Sequence, residues 1–225
     1  MRYAGRVNYV GHAAVATYLD ARVTGGVVLG AMLPDFMTMC GARATAIDDA
    51  AIARGVELHH ATDAAFHALA SFTGLVRDLG DRLTAAGVSR GPMRGVSHIG
   101  VELLLDTTLL EDALARAAYH AGLDHDPAGI TWPAGDDARF AHLRARLRQH
   151  GLPDELRQPE AIAQRILRVI GHRPRLAATG DEPAAIRKVI VGYAARVAVA
   201  APTIMHGLAA AMADRAAPGA RWYRG

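Results

Sequence analysis

The sequence predicts an all-α fold, a single-domain helical bundle over residues 1–225, on three observations. Apolar residues recur at helical spacing along nearly the whole chain. Alternating apolar and polar runs bounded by turn residues, the mark of strands, are scarce. Residues that start and stop helices punctuate the periodic stretches.

Taken in order, Asn8 is positioned to cap a helix through Ala21, and Thr24 to cap GGVVLGAML, which Pro34 and Asp35 should stop. A long helical pattern runs from Asp48 through a histidine-rich stretch to Ala68; Ser71 then caps a helix to Ala86 that Gly87 ends. MRGVSHIGVELLLD, from Met93 to Asp106, is next, followed by LEDALARAAYHAG, from Leu110. Gly122 to Gly135 holds Gly, Pro and Asp and reads as the main loop. Helices follow over 136–150 and 160–171, then a long one over 183–216 that Pro202 should kink.

The composition excludes several classes. An apolar share of 51% rules out wholesale disorder, and one cysteine, Cys40, rules out an internal disulfide framework or a zinc–thiolate cluster. The first residues lack the apolar core of a signal peptide, so the expected location is the cytoplasm. VIVGYAARVAVAAPTIMHGLAAAMA is the most apolar stretch, but Arg196, Pro202 and His206 interrupt it, and it reads as a buried helix with no membrane partner. Net charge is +3, carried almost wholly by arginine and without a basic run. The balance suits an acidic partner and gives no nucleic-acid footprint.

The chemistry concentrates in ELHHATDAAFH. On a helix, His59, Asp63 and His67 stand at i, i+4 and i+8 on one face. In VSHIGVELLLD, His98, Glu102 and Asp106 repeat that spacing among apolar neighbours, and polar groups buried there need partners. Imidazole nitrogen with carboxylate oxygen suits Zn, Mn or Fe(II), and helical bundles build such centres from facing helices. His12 in NYVGH and Asp35 in LPDF are further ligand candidates. In HRPRL, Arg173 and Arg175 flank a proline and are candidates for gripping phosphate oxygens.

These motifs, in this order, resemble the acyl-carrier-protein phosphodiesterase family, relatives of the HD-domain metal-dependent phosphohydrolases. NYVGHAAVA resembles the family's Asn-Phe-Leu-Ala-His opening, GAMLPDF its Gly-Asn-Leu-Leu-Ala-Asp-Phe, and GVELHHATDAAFH its segment with histidine four residues before aspartate. HRPRL and AAPTIMHGL resemble its Arg-Pro-Arg-Leu and Tyr-Pro-Arg-Met stretches. The resemblance implicates His12, Asp35, His59 and Asp63, and sets Glu102 where the family has an aspartate within Trp-Asp-His-Phe. Val101 and Leu103 replace the Trp and His there, His60 replaces an arginine and His67 an aspartate; the resemblance implies that these changes spare the metal-type chemistry and alter groups able to meet the substrate.

The resemblance implies hydrolysis of the phosphodiester that joins 4′-phosphopantetheine to an acidic acyl carrier protein, or of another phosphoester. The implied cofactor is a divalent cation, typically manganese, with zinc or iron as alternatives. Asp35 or Asp63 would orient the attacking hydroxide and His60 would protonate the leaving alkoxide. LPDF with paired His-x-x-x-Asp and His-x-x-x-Glu is also similar to the zinc-dependent phospholipase C and nuclease group, which points to several metals. Two other functions fit the same residues: a non-haem iron or di-metal oxygenase, and a non-catalytic helical binding protein that keeps the histidines as buried polar pairs.

Overall fold

A computed structural model describes residues 9–19, 23–152 and 154–216. The fold is all-α. In chain order the helices are α1 (Tyr9–Leu19), α2 (Gly25–Cys40), α3 (Ala50–Ala68), α4 (Ala70–Ala85), α5 (Arg90–Leu109), α6 (Ala113–Asp124), α7 (Asp136–His150), α8 (Pro159–Gly171) and α9 (Glu182–Ala216). A 3₁₀ turn, Asp154–Arg157, precedes α8. Within the stretch expected to be loop, Ile130–Thr131 (β2) pairs antiparallel with Ala46–Ile47 (β1) and ties the start of α3 to the region after α6.

Local signals account for most boundaries. Thr24 caps α2 through the Val27 N–H, Asp49 caps α3 through Ala51 and Ile52, and Asp112 caps α6 through Leu114 and Ala115. The Asn8 cap and the end at Ala21 lie outside the described residues. Ser71 falls one residue inside α4, whose first-turn boundary is instead the extended Leu69 (φ −64°, ψ 128°).

The expected stop at Pro34 is wrong. α2 continues through it for a further six residues to Cys40 and ends at Gly41, whose left-handed φ of 67° lets its N–H bond the Met37 carbonyl. Leu33 and Phe36, on either side of the proline and aspartate, are fully buried, and that packing outweighs the one hydrogen bond that proline removes. Asp35 therefore sits inside a helix rather than at its end.

Two apolar cores flank the middle of the molecule. Phe72, Leu79, Leu103, Ile166, Ile190 and Tyr193 centre one, built by α4, α5, α8 and α9. Leu29, Met32, Phe36, Tyr119 and Phe140 centre the other, built largely by α2, α6 and α7 with α1. α3 spans the gap, giving Ile52 to the second core and Ala65 to a small cluster with Val15, Leu208 and Met212.

Among the described helices, α9 is long and apolar enough to cross a membrane by length and composition. Here the stripe Ile186, Ile190, Tyr193, Val197, Ile204 and Leu208 is buried, whereas Arg187, Lys188, Arg196 and His206 are exposed. The helix is thus buried along one face only, and it runs on through Pro202.

Candidate metal centres

The position of the first centre follows from how closely α2 and α3 approach. Gly30 and Gly55 face one another with no room for side chains: a Cβ on Gly30 would lie 2.0 Å from the Ile52 carbonyl oxygen, and one on Gly55 would lie 2.1 Å from that of Val27. Backbone meets backbone there, so side chains just beyond the crossing reach across it. Pro34 supplies no N–H to the Gly30 carbonyl four residues back, and at the next carbonyl, that of Ala31, His59 Nδ1 donates a hydrogen bond of 2.9 Å. A carbonyl can only accept, so Nδ1 carries the proton and Nε2 the lone pair, the tautomer that a metal-ligating histidine needs.

α1 supplies the third group. Its ring at His12 lies 3.9 Å from that of His59, centroid to centroid, and its Nε2 is 3.9 Å from Asp35 Oδ2. α1 is held in place from α5: the Gly11 N–H, in the first described turn, donates to Asp106 Oδ1 at 3.0 Å. His12, Asp35 and His59 are all buried, and each offers a ligand atom within 4.8 Å of the other two, so the three can hold a metal ion. Two imidazoles and a carboxylate fit a borderline divalent cation such as Zn, Mn or Fe(II) better than Mg or Ca. Beside them a narrow pocket of about 40 Å³ is lined by His12, Asp63, Asp106 and apolar residues of α3, α5 and α9. Burial pushes the Asp106 carboxyl well above the ordinary carboxylate range; Arg165 and the Gly11 N–H pull against this, and Asp35 and Glu102 add to it.

The second centre lies farther along α3. His67 Nε2 and His98 Nε2 stand 3.0 Å and 3.1 Å from the same oxygen, Oε1 of Glu102. The two rings stack at 5.0 Å with a 14° tilt, and Phe72 meets both edge-on. His67 Nδ1 is 3.3 Å from Asp63 Oδ1, so both nitrogens of this ring face carboxylates. Burial would raise the Glu102 pKa, but the hydrogen bonds and charge of His67 and His98 outweigh it and hold the group at about 2.

The eight ligand candidates thus fall into two sets. Glu102 stands with His67 and His98, apart from His12, Asp35 and His59; Asp63 touches both surroundings; Asp106 lines the first pocket as the anchor of α1. His60 is exposed, its ring edge-on to His59 at 5.2 Å. Arg173 and Arg175 lie in the turn after α8, which packs on α5 where a Cβ on Gly91 would meet the Arg175 carbonyl oxygen and one on Gly95 the Leu176 side chain. Neither arginine lines the pocket beside the first centre or the cleft beside the second.

Sequence reasoning missed Gly30 and Gly55. The trace they leave in the sequence is a glycine in the interior of each of two helical stretches, GGVVLGAML and the histidine-rich one. Compared with protein-family models, curated proteins and solved structures, the chain finds no match.

Proposed function

We propose that the protein is a divalent-metal-dependent phosphodiester hydrolase whose reaction takes place at His12, Asp35 and His59, with manganese the expected metal and the 4′-phosphopantetheine linkage of an acyl carrier protein the expected substrate. The observation that carries the reading is the convergence of these three buried side chains from three helices beside a pocket lined by two further carboxylates, Asp63 and Asp106. A divalent cation bound there supplies Lewis-acid chemistry, lowering the pKa of water towards roughly 7 in favourable sites and offsetting charge on phosphoryl oxygens.

The chain's own groups do the rest. Asp63, at the pocket wall, orients water by accepting its hydrogen bond. Asp106, its carboxyl favoured in the protonated form by burial, lines the same pocket as a hydrogen-bond donor to a phosphoryl oxygen. His60, exposed one residue from His59, meets a leaving group only from the protein surface. Size limits the substrate: about 40 Å³ admits roughly three waters or the reacting phosphoryl group, while both arms of the ester stay outside. An ester between a macromolecule and a flexible arm meets that limit. In this reading the enzyme works in the cytoplasm.

The test is an assay of purified protein on holo-acyl carrier protein and on bis-nitrophenyl phosphate, with manganese and then with chelator, alongside His59→Ala. Turnover that needs metal and vanishes in the variant is expected. Turnover indifferent to both chelator and variant would end the proposal.

A further inference from the structure

The first centre leaves His67, His98 and Glu102 without a task, and their geometry is that of a site in its own right. The two sets share no residue. His59 and His67 are eight residues apart on α3, about 12 Å of helix, whereas ions that share ligands in a two-metal site sit roughly 3.5–4 Å apart. The two sets therefore share neither a ligand nor a turn of α3.

We propose that His67, His98 and Glu102 form a separate mononuclear site for a divalent transition metal, open to a cleft that takes a small ligand on the metal. Three features of the structure support it. Both imidazole Nε2 atoms converge on one carboxylate oxygen, at 3.0 Å and 3.1 Å. Metal–ligand bonds of about 2.1 Å set ligand atoms roughly 3.0 Å apart along an octahedral edge, so an ion enters with little movement of either helix.

Next, the rings are held before any metal arrives: Phe72 buttresses both, and Asp63 faces His67 Nδ1 at 3.3 Å, the carboxylate–histidine relation that orients a ligand ring and raises its basicity. Finally, the site is not closed. The His98 side chain is 46% exposed, and a cleft of about 320 Å³, lined by His67, Phe72, Thr73, Val76 and His98, adjoins it. Two histidines and one carboxylate with open positions suit Zn or Fe(II), and a cleft of that size is at the lower end of small-molecule pockets.

Zinc stoichiometry tests this, measured by elemental analysis after gel filtration of the full chain, with magnesium as the control. Wild type is compared with His98→Ala and with His59→Ala. We expect His98→Ala to retain one equivalent of zinc fewer than wild type, to lose the d–d absorption that cobalt gives at this site, and to bind no magnesium in either form. His98 is half-exposed, so the variant keeps its fold, checked by circular dichroism of the metal-free proteins. Zinc retention equal to wild type in His98→Ala overturns the proposal whatever His59→Ala does. Loss of an equivalent in His59→Ala alone would leave only the first centre standing, and loss in His98→Ala alone only the second.

Discussion

Two sets of two imidazoles and one carboxylate each draw one histidine from α3, and they differ in how far water reaches them. His12, Asp35 and His59 come from three helices and are all buried; His67, His98 and Glu102 come from two, with Glu102 buried beneath rings that open to a cleft. The same donor chemistry therefore meets two environments. At the sealed set, low effective dielectric strengthens every charge interaction, and the pocket beside it is narrow, about 40 Å³. At the open set, solvent weakens those interactions, but a whole small molecule can approach. Donor type alone is a poor guide to role; under the proposed function, burial is what separates the place for chemistry on a phosphoryl group from the place for ligand capture.

Deleting a ligand from the sealed set carries the largest expected effect. Asp35→Ala or His59→Ala should abolish turnover, with a loss beyond the roughly 100-fold that outer-shell changes cost, and should remove one metal equivalent while the open set keeps its own. Helix content by circular dichroism should stay near wild type. A variant with full activity would remove that residue from the site.

Next in size is the helix crossing that assembles the sealed set. Gly55→Ala places a Cβ 2.1 Å from the Val27 carbonyl oxygen, so α2 and α3 must part. The expected cost is about 3 kcal/mol, a fall in Tm of roughly 6–12 °C. Because His59 bonds Ala31 across that crossing, metal affinity should drop at the sealed set and hold at the open one, which isothermal titration of the His98→Ala and His59→Ala backgrounds separates.

A smaller effect is expected at Asp63, which lines the pocket of the sealed set and faces His67 of the open one. Asp63→Asn keeps the shape and removes the charge facing His67 Nδ1. Zinc affinity at the open set should fall about 10–100-fold, the usual cost of losing an outer-shell carboxylate. Turnover at the sealed pocket should fall as well, since Asp63 lines it. An unchanged zinc affinity would reduce the Asp63–His67 contact to a surface ion pair.

How much of this was legible in the sequence depends on which kind of signal is asked for. Helical periodicity and side-chain caps act over a few residues, so the all-α class, Thr24 as a cap and the span of α3 could all be read directly. The ladders His59–Asp63–His67 and His98–Glu102–Asp106 were also readable, because i, i+4 spacing is local. Which ladder member meets which was not, since that is set by tertiary contacts: Gly30 against Gly55, and Gly11 N–H on Asp106, 95 residues away. The same limit explains Pro34. Its local preference is to end a helix, and the burial of Leu33 and Phe36 overrides it.

The smallest effect near neutrality is electrostatic, and it has opposite signs at the two centres. Glu102 is held at about 2, so the fold favours its ionised form; its contribution to stability is complete above the ordinary carboxylate pKa of roughly 4.5 and is lost as pH falls towards 2. Asp106 is raised, so the fold favours its protonated form, and acid adds stability there as pH drops through the raised value. Denaturant titrations of the metal-free protein from pH 7 to 3 separate the two. Glu102→Gln, which still accepts from both imidazoles, should lose less stability than wild type below about pH 4.5, while Asp106→Asn should lose more on acidification because it lacks the opposing gain. Parallel curves for the two variants would mean that burial does not distinguish the centres, and the contrast drawn between them would fail on its electrostatic side.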